Sequence, residues 1–144
     1  MDVLYFLKDR TRLIRQYYEC AAQPFNEIMR KIGAEEEPYV PPYSEDGEPP
    51  FLGEWIDASE LLEVTGRCCI SMLSASLQLY LKTWERELGL SCGKEFAAEF
   101  KKEGLVGGYR ACLAKRAGVD WSCCPADLTI IEQVVLARNR DQHP

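Results

Sequence analysis

From Val3 to about Ala22, apolar residues at Val3, Phe6, Leu7, Leu13, Ile14, Tyr17, Tyr18 and Ala21 recur close to the period of an amphipathic helix. Arg10, Arg12 and Arg15 interrupt or flank that band. Pro24 either kinks this helix or opens a second one in which Phe25, Ile28, Met29 and Ile32 share a face and Gly33 is the stop; a kink or short break is expected. Phe51 to about Leu88 predicts the longest helix, with Thr65-Gly66 as its candidate break. Leu61, Val64, Cys68, Met72, Ala75 and Leu79 make one apolar face, and Leu62, Cys69, Leu73, Leu77, Tyr80 and Trp84 widen it. A helix apolar on so much of its surface is expected to be surrounded, with Trp84, Glu85, Arg86 and Glu87 emerging toward solvent before Gly89.

Shorter amphipathic helices follow. Lys94 to Lys102 presents Phe96, Ala97 and Phe100 and ends at Gly104; Leu105 to Ala117 carries Tyr109, Cys112 and Leu113, with Gly118 as its C-terminal stop. Trp121 to Pro125 reads as a loop into a last helix, where Pro125 suits the first helical position and Asp127 the positive end of the dipole. Leu128, Ile131, Val134, Val135 and Ala137 then face inward. No stretch alternates convincingly with period 2, so the pattern predicts an all-α bundle of four to six helices, read as one domain over 1–144.

One segment breaks the helical pattern. Between Glu35 and Pro50, five prolines and a run of acids exclude helix and central strand, leaving 35–50 as an extended acidic linker between the first and second long helices. Tyr39, Val40, Tyr43 and Phe51 are its candidate anchors to the helices. The net charge of −6 has its origin here: Glu35 to Glu63 holds ten acids and no Lys or Arg, and the remainder is mildly basic. A protein coating long nucleic acid would show a broad basic stripe, so any contact with RNA is expected to be local.

The 47% of hydrophobic residues in 144 excludes global disorder. Met1 to Leu7 lacks a basic start followed by an apolar run, and the charge-free run Cys68 to Leu81 is shorter than the roughly 20 residues that span a bilayer. A cytoplasmic location with no membrane contact is expected. Seven cysteines, an odd set with two vicinal pairs and no CxxC, read as reduced thiols rather than a disulfide framework or a zinc site, and no metal or cofactor is expected. The Gly107-Gly108 pair lacks the G-x-x-x-x-G-K-[ST] setting of a phosphate loop and reads as close helix packing or a turn.

Candidate chemistry gathers at the end of the chain, in Leu136 to Pro144, which holds the only histidine. Arg138 supplies a fixed cation and His143 a group that takes and gives a proton near neutral pH, the two side-chain types that metal-free phosphodiester cleavage needs. On an ideal helix residues five apart differ by about 140°, so Arg138 and His143 would diverge, whereas Asn139 shares a face with His143 and can orient its ring. Pro144 disfavours helical geometry at His143, which would let the ring swing back toward Arg138. A purely structural reading exists too: cations near a helix C-terminus are favoured by the dipole without any catalysis.

The segment Arg138-Asn139-Arg140-Asp141-Gln142-His143 resembles the RNxxxH form of the R-x4-6-H motif of HEPN domains. That resemblance implies a HEPN-like helical bundle, with Arg138 and His143 as catalytic residues and Asn139 in support. It also implies a metal-independent endoribonuclease working as a homodimer, in a toxin–antitoxin or defence system with a cognate antitoxin protein as partner. Other members of the family bind nucleotides or proteins without cutting RNA, which makes a non-catalytic binding or dimerisation module the alternative. Family members usually continue past the histidine into another helix, so a chain trimmed at its C-terminus is expected. A scaffold whose acidic 35–63 stretch contacts a basic partner is a third reading.

Overall fold

Helix is the only regular structure among the described residues, which in this computed structural model are 2–42 and 49–142, with side chains described through Arg138. Five helices follow in order: α1 Val3–Ala34, α2 Leu52–Glu87, α3 Cys92–Glu95, α4 Ala97–Ala117 and α5 Leu128–Gln142. The all-α expectation therefore holds. No described helix is long and apolar enough to cross a membrane.

The two long helices carry no break in their interiors. α1 continues through Pro24, which excludes a second helix opening there, and α2 runs unbroken through Thr65 and Gly66. Pro24 lacks an N–H and so leaves one carbonyl in the preceding turn without its helical donor, a local loss that the long flanking stretches on either side absorb. α1 stops one residue beyond Gly33, where Glu35 takes a left-handed φ of 52°. The break expected at Gly104, by contrast, is present: α4 bends there, with φ 78° and ψ −168°.

The described chain divides into two compact units, one formed by residues up to Thr11 with those from Ile70 onward, the other by Arg12–Cys69. In the second unit Ile14, Ala22, Ala58 and Cys69 are buried. Ala22 and Ala58 are small enough to admit close helix approach, and burial raises the Cys69 thiol pKa. At the far end of this hairpin, Arg30 donates to the carboxylates of Glu27 and Glu36, while Tyr39 meets Phe51 edge to face at 5.3 Å. These contacts join the two ends of the linker to each other and to Arg30 of α1, with Tyr39 against Phe51 rather than against a helix, while Val40 is exposed and Tyr43 lies outside the described residues.

Not every apolar face is covered. Leu61 and Val64, expected inside the bundle, are 48% and 54% exposed, so the described residues do not enclose α2 along its length. The helical period identifies an apolar face but not what lies against it.

The unit containing residues 70 onward has the denser core, in which Leu81, Cys92, Phe96, Tyr109 and Cys112 are buried together with Leu77, Leu90, Phe100 and Leu105 packed around them. Phe100 meets Tyr109 edge to face at 5.1 Å. The glycine at 108 makes that packing possible, because a Cβ there would lie 2.4 Å from the Phe100 ring. Gly107-Gly108 thus serves close packing, as read from the sequence. Glu85 is turned inward rather than toward solvent: its carboxylate accepts a 2.7 Å hydrogen bond from the Tyr109 hydroxyl, and burial followed by this bond pushes the Tyr109 pKa up.

At the centre of this core Cys92 and Cys112 form a disulfide, both 0% exposed. This corrects the expectation of seven reduced thiols. The spacing of 20 residues carries no motif, and only the packing of α3 on α4 brings the two Cα atoms to 5.5 Å. Closing a loop of that length stabilises the folded state by roughly 3 kcal/mol. Alkylation of the denatured chain should therefore label five cysteines before reduction and all seven after it. Cys92→Ser with Cys112→Ser should lower the unfolding free energy in urea by about 3 kcal/mol.

Candidate functional site

The last helix begins with a side-chain cap. The Asp127 carboxylate accepts from the N–H groups of Thr129 (2.9 Å) and Ile130 (3.3 Å), two donors that the first turn leaves without helical partners. Asp127 is therefore the N-cap of α5, and Pro125 lies ahead of the helix in the loop rather than at its first position. The loop itself is held by the Trp121 indole N–H donating to the Arg110 carbonyl at 3.1 Å, and by Asp120 accepting from Ser122. Those bonds to Ser122 hold the Asp120 pKa below the usual carboxylate range.

Within α5 Val135 is buried, and Leu128, Ile131, Val134 and Ala137 are half-buried as their spacing predicts, whereas Ile130 and Leu136 are exposed. The most informative contact is made by Glu132. Its two oxygens accept from the N–H of Leu105 (3.2 Å) and of Val106 (2.7 Å), the donors freed where α4 bends at Gly104. A carboxylate from one helix thus caps the interior break of another. No local sequence pattern joins Glu132 to these donors, which lie 26 and 27 residues away.

This cap anchors the helix that carries the candidate site. Arg138 lies in α5 six residues after Glu132, is half-buried, and forms no ion pair with any described carboxylate. Asn139 is also in α5, about 100° around the axis from Arg138. Its side chain and the whole of His143 lie outside the described residues, so of the three candidate residues the structure gives the surroundings of Arg138 alone. What those surroundings offer is a half-buried guanidinium close to a helix end, with no counterion among the described residues and a geometry suited to a phosphate or carboxylate. Among the described residues no group of three or more His, Cys, Asp or Glu side chains is arranged to hold a metal ion.

The bend and its cap can be tested together. Gly104 has a conformation that other residues rarely adopt, and a Cβ there would lie 2.2 Å from a Glu132 oxygen. Gly104→Ala should therefore cost about 2 kcal/mol of unfolding free energy or more. Glu132→Ala leaves two backbone donors uncapped and should cost about 1–3 kcal/mol. The double variant, measured by urea unfolding, should lose clearly less than the sum, because both changes break the same junction. Comparison of the chain with protein-family models, curated proteins and solved structures yields no match.

Proposed function

We propose that this chain is a HEPN-like, metal-independent endoribonuclease that works as a homodimer, with Arg138 and His143 as its catalytic residues and Asn139 positioning the imidazole. The observation that carries the reading is the R-N-x-x-x-H segment at the end of the last helix of an all-α chain, with Arg138 half-buried and unmatched by any described carboxylate.

The chemistry follows from the residues. Cleavage through the RNA's own 2′-hydroxyl requires a base to take that proton, an acid to protonate the leaving 5′ oxygen, and positive charge on the crowded phosphoryl group. One histidine per chain supplies one proton-transfer role. Two copies meeting at a cleft supply both, with the two Arg138 guanidiniums on the phosphate oxygens. The exposed apolar side chains of Leu61 and Val64 support self-association, since apolar surface of this kind is commonly covered by a partner. A chain of net charge −6 fits brief, local contact with RNA, and a toxin–antitoxin or defence role with a protein antitoxin fits an enzyme of this type.

A cytoplasmic setting belongs to the same proposal. The Cys92–Cys112 sulfurs are 0% exposed, and thiol–disulfide exchange needs direct attack on sulfur, so the bridge is sheltered from cytosolic reductants while the core stays closed.

The expected result is RNA cleavage by the dimeric protein in the presence of a chelator. Activity should fall at least about 100-fold in His143→Ala and in Arg138→Ala, with circular dichroism and sedimentation unchanged. A verified dimer that leaves RNA intact would remove the enzyme reading. Nucleotide or protein binding that depends on Arg138 but not on His143 would replace it with a non-catalytic module.

A further inference from the structure

In the unit that contains both chain ends, the first two turns of α1 and the second half of α2 border a groove of about 400 Å3. That volume lies in the range of small-molecule sites. Its walls are mainly apolar, with Val3, Phe6 and Leu7 from α1 and Leu79 and Tyr80 from α2. Phe6 is 57% exposed and Leu79 68% exposed, so the walls carry a large apolar area still open to water.

Among the described residues Arg10 is the only charged side chain lining the groove. On its own helix its neighbours at three and four residues are Phe6, Leu7, Leu13 and Ile14, none of them acidic, and the facing stretch of α2 from Cys68 to Leu81 carries no charge. No described carboxylate pairs with it. Two hydroxyls in the lining are already committed as donors, Ser76 to the Met72 carbonyl at 2.7 Å and Thr83 to the Leu79 carbonyl at 2.8 Å. The third hydroxyl of the lining, on Tyr80, is neutral, so Arg10 is the donor best placed for an anionic headgroup. Val3, at the other end of the α1 wall, is only 9% exposed. Val3 and Arg10 are seven positions apart along the helix, a rise of about 10 Å.

We infer that this groove binds a single-chain amphipathic carboxylate, with its aliphatic body along Val3, Phe6 and Leu79 and its headgroup on the Arg10 guanidinium. Arginine presents two parallel donors that match a carboxylate, and the apolar walls gain from covering hydrocarbon. The site shares no residue with the proposed catalytic set, so it stands or falls independently of the ribonuclease proposal.

Isothermal titration of the full chain with decanoate, decanol and decyltrimethylammonium, each below its micelle-forming concentration, tests the inference. Decanoate should saturate at one molecule per chain, and the neutral and cationic probes should bind about tenfold more weakly or worse. Arg10→Gln should bring decanoate down to the level of decanol. Ala75→Trp, which fills the groove from an exposed helical position, should abolish decanoate binding with the helical circular dichroism unchanged. Failure to saturate, equal binding of decanol, or decanoate binding unaffected by both substitutions would overturn the inference. So would a dimer that Ala75→Trp dissociates and that decanoate does not bind, since the groove would then be an interface between copies.

Discussion

The junction at which Glu132 receives the N–H groups of Leu105 and Val106 holds together the part of the molecule that bears the candidate chemistry. A helix that bends as α4 does at Gly104 exposes donors in its own interior, and such groups are costly to leave unmatched when partly buried. Here the match comes from a different helix, so satisfying α4 also anchors α5. Hydrogen bonds to a charged acceptor are the stronger kind. With Val135 buried one turn further on, the register of α5 is set before the chain reaches Arg138.

A second constraint acts on the other side of α4. Cys112 is bonded to Cys92, Gly108 admits the Phe100 ring, and Tyr109 reaches across to Glu85 on α2. Within five positions of one helix, a covalent link, a steric fit and a hydrogen bond each join a different partner. This concentration explains why a helix with so many glycines, poor formers by intrinsic propensity, is ordered: tertiary contacts outweigh local preference.

Much of the fold was legible in the sequence because helical period, stop glycines and prolines act locally. The ends of α2, the C-terminal end of α4, the bend at Gly104 and the absence of regular structure in the described part of the linker all follow from signals within a few residues, whereas the helix read over Lys94 to Lys102 is divided at Phe96 into α3 and the start of α4. What the sequence concealed is non-local. Neither the pairing of Cys92 with Cys112 nor the reach of Glu132 to Leu105 leaves a mark in residue order, and the period of α2 could not say that Leu61 and Val64 would remain exposed. At Pro24 a strong local signal for a break was overridden within a long helix, which continues through it. For the candidate site, Arg138 was legible by residue type and its place on α5 by period, whereas its lack of a described counterion emerged only from the packing.

Two independent constraints bear on the proposed homodimer. One is stoichiometric: general acid and general base are two roles, and a chain with one histidine offers one imidazole, so a symmetric transfer mechanism asks for a second copy. The other is a matter of solvation. Leu61 and Val64 stay open to water on a helix whose sequence period is that of a covered one. Either fact alone has a simple alternative, a nucleophile activated without histidine in the first case and a scattering of exposed apolar residues in the second. Together they support the proposed symmetric partner. Self-association would cover apolar surface and, where the two chain ends meet, would also complete the proton-transfer pair.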